Sequence, residues 1–225
     1  AKNFSKQIDV LEKLNICLYA AGVSNSQIVE NKLIEKDKNR IIDFSKIFDQ
    51  KKILVYLSTC SIYDPSRNKN PYVKNKLYIE NLIREKFKNF LIIRLPEVVG
   101  KNENKTSLVN FIYHNIKKDI SFEIWQNAKR NIIDINDVVL LTTIFLKDYY
   151  KSNKIINIAN PIQCSATEIT RCLEKLTNVK AIYNLVDKGD KNWSVDISEI
   201  SKTIKSSKIN FNENYLYKTL KKYYF

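Results

Sequence analysis

Glycine is scarce in this chain, at 3 residues in 225. Gly22, Gly100 and Gly189 stand far apart. They cannot build a Gly-x-x-Gly-x-x-Gly turn, the bare backbone that wraps a pyrophosphate at a helix N-terminus. Methionine is absent altogether, where a protein of this size normally has several. There is one histidine, and the four cysteines (Cys17, Cys60, Cys164, Cys172) have no Cys-x-x-Cys spacing, so no metal site is expected. Cys17 and Cys60 fall in or beside apolar runs predicted to be buried strands, where Cys is a small hydrophobe, and a reducing cytoplasm fits. No apolar stretch approaches the roughly 18–20 residues of a membrane span, and no signal peptide is visible. Acidic residues are few beside the basic ones, giving a net charge of +14. That balance invites a nucleic-acid reading. The lysines are spread along helices rather than gathered in a run, however, and Asn, Ile and Tyr are over-used with them. We read the excess as residue bias on solvated faces and expect no nucleic-acid partner.

What is present suits a folded core. Hydrophobic residues make up 44% of the chain, enough for one domain or one and a half. Strand and helix patterns alternate, which argues for a parallel sheet with helices on both faces. Strands are predicted at 16–20, 53–57, 91–94 and 155–158. Helices are predicted at 27–49, 72–88, 107–117, 135–149, 165–176, 197–204 and 212–224. Ser165 and Glu168 have the spacing of a capping box, and Asp137 belongs to a helical first turn, where a carboxylate is favoured. Neither internal repeats nor a low-complexity linker are present.

The most informative stretch runs from Leu54 to Glu80. An apolar run, Ile53 to Leu57, reads as a buried parallel strand whose far end delivers Ser58 and Thr59 into a crevice. Pro71 then opens a helix, and Tyr72, Lys76 and Glu80 fall one turn apart on a single face. A hydroxyl, a phenol and an ammonium gathered together suit proton transfer at a carbinol or carbonyl oxygen. In that arrangement the Lys76 charge is expected to pull the Tyr72 pKa towards neutrality, and Thr59 to hold the oxygen.

Strand, Ser/Thr, Tyr four residues on, then Tyr-x3-Lys-x3-Glu is the pattern Thr59, Tyr63, Tyr72, Lys76, Glu80. In this the chain resembles the extended short-chain dehydrogenase/reductases of the NAD-dependent epimerase/dehydratase group, which modify nucleotide sugars. Leu18 to Ser24 resembles the strand ending that lies under the cofactor pyrophosphate, and Ile92 to Gly100 the strand beneath the nicotinamide. Arg130 to Asp137 resembles the arginine-plus-acidic stretch that binds the substrate diphosphate. The first recognisable element resembles the fourth strand of the family's order. A βαβ unit of roughly 30 residues or more, with the Gly-rich turn, is therefore expected upstream of Ala1.

The resemblance implies an α/β fold, a Rossmann-type doubly wound parallel sheet with a small C-terminal substrate-binding region. It assigns 1–100 and 131–160 to the dinucleotide-binding domain, and 101–130 and 161–225 to the substrate-binding region. NAD or NADP is the implied cofactor, held by Ala20, Ala21, Gly22, Ser58, Tyr72, Lys76, Leu95 and Pro96. Thr59, Tyr72 and Lys76 are the implied catalytic residues. A nucleotide-diphosphate sugar is the implied partner, and a homodimer is compatible. For the substrate, Glu97 stands where many relatives have Asn, and an acid there opposes a diphosphate; it is equally readable as a surface residue. Ser107 and Leu108 match a helix N-terminus that meets phosphates, although Ser107 could be only an N-cap. Trp125 matches a position against the nucleotide base, or is a core aromatic. Arg130 is read as a phosphate fork, with an ion pair to a neighbouring carboxylate as the alternative. A second phosphate-binding Arg is missing near Asp187–Asp190, where only Lys188 or Lys191 could serve. Tyr63 and His114 are read as structural and surface residues.

The expected activity is that of an oxidoreductase, a 4-keto-sugar reductase of surface-polysaccharide synthesis, on the likeness of Arg94 to Lys101. The alternatives are a nucleotide-sugar 4-epimerase and a non-catalytic binder that kept the fold. A dehydratase is disfavoured, because Cys60-Ser61 follows Thr59 where those relatives usually carry Asp-Glu.

Overall fold

The computed structural model describes residues 15–26, 30–101, 107–149 and 153–225. Its frame is a four-stranded parallel sheet built from β1 (Ile16–Tyr19), β2 (Ile53–Thr59), β3 (Phe90–Leu95) and β8 (Lys154–Asn157). The spatial order is β1-β2-β3-β8, every pair parallel. Parallel strands are covered on both faces, so their sequences run apolar without alternation. β2 shows why: Leu54 and Tyr56 pack on one face with Ile92, while Val55 packs on the other with Leu91 and Ile93. Each such side chain, wholly removed from water, contributes about 1.5–3 kcal/mol.

Helices α1 (Asn31–Ile47) and α2 (Pro71–Lys86) cover the first face through Ile41, Ile79 and Ile83. Helix α4 (Ile135–Tyr149) covers the second through Leu141 and Phe145, with α6 (Ser201–Ser207) beyond it. The doubly wound α/β fold expected from the sequence is thus present. A second core joins α3 (Leu108–Lys117), α5 (Ala166–Thr177) and α7 (Tyr215–Tyr224) around β5 (Phe122–Trp125) and β7 (Ile132–Asp134). Its strands are short: β4 (Glu97–Val99) pairs parallel with β7, β5 with β10 (Tyr183–Val186), and β6 (Lys129–Arg130) antiparallel with β9 (Cys164–Ser165).

Most predicted elements recur within a few residues of their expected ends. The capping box at Ser165 is made in both directions, 3.1 Å from the Glu168 N–H to Ser165 Oγ and 2.6 Å from the Ser165 N–H to Glu168 Oε2. Four readings need correction. β2 runs on to Thr59, so that hydroxyl sits on the strand itself. Cys60 is buried in a 3-10 turn (Cys60–Tyr63), not in a strand, and Cys17 is only half-buried. The single helix expected at 197–204 is a 3-10 turn, Ser198–Ile200, followed by α6. The short strands of the second core were not foreseen, because two to four residues carry too little periodicity to be seen. The predicted start of the first helix at Gln27 lies outside the described residues.

Candidate active site

A cleft of about 1080 Å³ opens where β2 and β3 end and the second core begins. Ligands of open α/β sheets lie at this carboxyl edge. The chain brings the predicted residues to it by three local devices. β2 extends to its last residue and releases Ser58 and Thr59 at the rim. Asn70 caps α2, its side chain accepting the Tyr72 N–H at 2.9 Å and the Val73 N–H at 3.4 Å, and Pro71 starts the helix. Tyr72 and Lys76, one turn apart, therefore face the strand ends and are both buried.

There the Thr59 hydroxyl lies near enough to the Tyr72 phenol to act on its titration. Thr59 Oγ1 also accepts the Ser61 N–H at 3.1 Å. Lys76 Nζ donates to the Leu57 carbonyl at 3.1 Å and lies 5.7 Å from the centre of the Tyr72 ring. Burial pushes the Tyr72 phenol above its usual range, against the nearby Thr59 hydroxyl and the Arg67 charge, which pull it down. This differs from the expectation that Lys76 would be the lowering charge. Lys76 is itself pushed down to about 8 by burial, with Asp37 and Glu80 acting in the opposite sense. With Lys76 giving up its proton near 8 and Tyr72 only above its ordinary 10, the ammonium is already neutral where the phenol titrates.

Ser58 lines the cleft, but its hydroxyl is already spent, donating to Glu80 Oε1 at 2.5 Å. Glu80 in turn takes a forked pair from Arg94, 3.0 Å to Nε and 2.6 Å to Nη2. Tyr63 Oη accepts from Arg94 at 2.8 Å and donates to Asn157 at 3.1 Å, a structural role as read from the sequence. Ala20, Gly22, Leu95 and Pro96 line the same end. Ala21 does not, and its carbonyl accepts instead from Arg40. At Gly22 a Cβ would come to 3.2 Å from Lys76 Nζ, so any larger residue would make the lysine tip yield by a few tenths of an ångström. Small residues at a strand end beside Tyr72 and Lys76 fit the approach of a dinucleotide.

At the other end, Glu97, Ser107, Leu108, Trp125 and Arg130 all line the cleft. Glu97 is not a surface acid. Its carboxyl accepts the Leu108 N–H at 3.1 Å, so the first turn of α3, expected to meet phosphate, already has a protein acceptor. Burial pushes the Glu97 carboxyl up, opposed by the α3 N–H groups and by Arg130 and Arg67. Trp125 is 37% exposed with Lys188 Nζ 6.0 Å above its ring, which makes it a cleft-wall face rather than a core aromatic. Lys188 lies 3.7 Å from Glu123, and neither it nor Lys191 lines the cleft. Of the stretch Arg130–Asp137, only Arg130 and Asn131 reach the cleft. Asp134 binds Lys222 (2.7 Å) and Tyr223 (2.6 Å), and Asp137 binds Tyr215 (2.5 Å), so these acids anchor α7 instead. Asn131 fixes Arg130 by reciprocal bonds to Asn160, 2.6 Å and 3.0 Å.

Sequence reading missed four residues here. Asp37, 1% exposed, accepts from Asn75 at 2.8 Å and from the Val23 N–H at 3.3 Å behind Gly22. Asp64, Arg67 and Trp193 line the cleft from loops. Asp64-Pro65 carried a signal, because Asx-Pro initiates turns; the others had none. Among the described residues no three His, Cys, Asp or Glu side chains gather as a metal site, and no helix is long and apolar enough to cross a membrane.

Residues 15–159 match the NAD dependent epimerase/dehydratase family. The chain belongs to that family. Among solved structures it is similar to UDP-glucuronic acid 4-epimerase from Bacillus cereus in complex with UDP-glucuronic acid and NAD. That likeness has TM-score 0.72 and 18% identity, covering 95% of this chain and 77% of the other. It is also similar to RMD from Pseudomonas aeruginosa complexed with NADPH, with TM-score 0.67 and 14% identity over 92% of this chain and 79% of that one. Identities this low speak for the fold. Among curated proteins, the small ribosomal subunit protein uS3c of Euglena longa is 28% identical over 152 residues, 60% of this chain and 67% of that protein. At 28% identity this likeness shows no family for the chain.

Proposed function

We propose that this protein is an NAD(P)-dependent nucleotide-sugar oxidoreductase of surface-polysaccharide synthesis, with Tyr72 as the proton-exchanging group. The observation that carries the proposal is the meeting of Thr59, Tyr72 and Lys76 at the ends of parallel strands beside Gly22. Ala20, Gly22, Leu95 and Pro96 would hold the dinucleotide, with Lys76 reaching its ribose. When bound, its nicotinamide supplies the hydride donor or acceptor. Thr59 orients the sugar oxygen by hydrogen bond, and the Tyr72 O–H gives its proton to that oxygen as negative charge develops there. Burial keeps the Tyr72 phenol protonated and able to donate, as a ketone reduction and the return step of an epimerisation both need. The likeness of Arg94 to Lys101 to reductases is what favours the 4-keto-sugar reductase.

The 4-epimerase is the second reading, supported by the named activity of the Bacillus cereus structure. It needs the same three groups to run in both directions. Cofactor handling separates the two, because an epimerase must return its hydride to the same sugar and therefore keeps its cofactor. The full-length protein is expected to purify largely free of nicotinamide and to consume NAD(P)H stoichiometrically with a 4-keto nucleotide sugar. Tightly held NAD, with interconversion of two 4-hydroxy sugars and no net change in reduced-nicotinamide absorbance, would replace the reductase by the epimerase. Failure to bind any dinucleotide would leave the non-catalytic binder.

A further inference from the structure

The second half of the cleft is organised around a turn that follows Tyr63. After Tyr63 the chain makes a 3-10 turn, Pro65–Arg67, with Asp64 as its cap. Asp64 Oδ1 accepts the Ser66 N–H at 3.0 Å and the Ser66 hydroxyl at 2.6 Å. The turn is fixed again where the Asn70 N–H donates to the Arg67 carbonyl at 2.9 Å. Arg67 is thereby held at the cleft wall. Its Nε lies 3.6 Å from Asp64 Oδ2, and Arg130 Nη1, arriving from β6, lies 3.8 Å from the same oxygen.

Two guanidiniums thus share one carboxylate oxygen, at distances too long for the paired N–H···O bonds of a fork. Each guanidinium carries five N–H donors. Arg130 spends one on the Lys129 carbonyl at 2.8 Å, and among the described residues Arg67 has only the long approach to Asp64. Their side chains are 13% and 26% exposed, and both line the cleft. Glu97 also lies nearby, but its carboxyl is engaged by the first turn of α3. The cations repel each other as well: after burial, the Arg67 charge is what most lowers the Arg130 pKa. A group with several anionic oxygens would answer both the unspent donors and the repulsion. As a structural ion pair, the long and partly exposed contact of Arg67 with Asp64 is worth little.

We propose that Arg67 is a substrate-binding residue that closes, opposite Arg130, a two-arginine clamp for an oxyanion of the substrate. This rests on the nucleotide-sugar reading and names what recognises the substrate there. The chemistry admits two sources, the diphosphate itself or a carboxylate carried on the sugar ring. Arg67 also lies close enough to Tyr72 for its charge to act on the phenol. An anion in the clamp therefore sits beside the reacting end of the cleft.

The test is calorimetric titration of the full-length protein and of Arg67→Gln and Arg67→Lys. The probes are UDP, GDP, CDP and dTDP, then the hexose and hexuronic acid derivatives of whichever base binds. Thermal unfolding establishes that each variant folds, and NADPH binding serves as the internal reference. Arg67→Gln should lose at least tenfold in affinity for the clamped group, Arg67→Lys should recover part of it, and NADPH affinity should not move. Loss on the nucleoside diphosphates identifies the diphosphate as the source. Loss on the hexuronate alone, with diphosphates and hexose held as before, identifies the sugar carboxylate. Equal affinity of Arg67→Gln and wild type for every probe overturns the clamp and leaves the nucleotide-sugar reading standing. A wild-type protein that binds none of the four diphosphates overturns that reading and the clamp together.

Discussion

The two ends of the cleft are built on different plans. At the strand end, Ser58, Glu80 and Arg94 satisfy one another at 2.5–3.0 Å behind Thr59, Tyr72 and Lys76. Every one of these residues sits on a regular element, β2, α2 or β3. At the loop end, Asp64, Arg67, Glu97 and Arg130 come from a turn and two short strands, and their ion pairs are 3.6–3.8 Å long. The first plan places reacting groups within a narrow tolerance by fixing everything behind them. The second leaves charge in reserve for something that arrives from outside. Substitutions should therefore cost catalysis or stability at the strand end, and binding alone at the loop end.

The largest effect should come from Tyr72→Phe. It removes one oxygen and keeps the buried ring, so the fold is retained while turnover falls by roughly 10²–10⁴-fold, the usual loss of a general acid/base. A variant turning over at near wild-type rate on its true substrate would remove Tyr72 from the chemistry. Arg94→Ala probes the wall behind it. The Glu80 side chain is 3% exposed, and without Arg94 it is a buried carboxylate supported mainly by Ser58. Breaking such a pair costs about 3–5 kcal/mol, to be read in the urea midpoint. A change under one kilocalorie would mean that water reaches Glu80 and the strand end is less sealed than the comparison requires.

How much could be read from residues alone follows the same division. Thr59, Tyr72 and Lys76 were legible because a strand, a short loop and a proline-started helix fix their relative positions within 18 residues of chain, from Thr59 to Lys76. Arg94 and Glu80 follow from the same parallel frame. Arg67 was not legible, because the partners that give it meaning, Glu97 and Arg130, lie 30 and 63 residues away (97 minus 67, 130 minus 67). Glu97 was seen, yet its engagement with α3 depends on β4 pairing with β7, strands of three residues each. The acids of Arg130–Asp137 were given to the substrate because they follow the arginine in sequence. In the fold they turn away to hold Tyr215, Lys222 and Tyr223 of α7. The direction of the Tyr72 pKa was also misjudged, since a sequence shows a neighbouring charge but not the burial that outweighs it.

The pKa of Lys76 gives a test with a definite sign. It is lowered in the folded protein to about 8, below its ordinary value of 10.5. Below pH 8 both folded and unfolded chains carry the proton, and the folded state bears the full cost of the buried charge. Between pH 8 and 10.5 the unfolded chain binds more protons than the folded one, so stability rises with pH. Against Lys76→Met, wild-type apoprotein should therefore gain stability over that window, by at most about 3 kcal/mol. A flat difference would mean that Lys76 is solvated, and that the strand end is open at its centre.

The smallest effect, and the one that decides the other half of the comparison, is expected from Arg130→Ala. Its guanidinium is held by the Lys129 carbonyl and by the long approach to Asp64, so little of the fold depends on it. Unfolding should shift by less than about 1 kcal/mol. Each charge-assisted bond it gives to a diphosphate is worth about 1.5–3 kcal/mol, so nucleoside diphosphate affinity should fall at least tenfold. NADPH affinity should be unchanged, because Arg130 is engaged by the Lys129 carbonyl and Asp64 and not by Ala20, Gly22 or Lys76. Calorimetry and thermal unfolding on the same preparation read all three. Equal diphosphate affinity with lost stability would make Arg130 the structural partner of Asp64, and the loop end would then be as self-contained as the strand end.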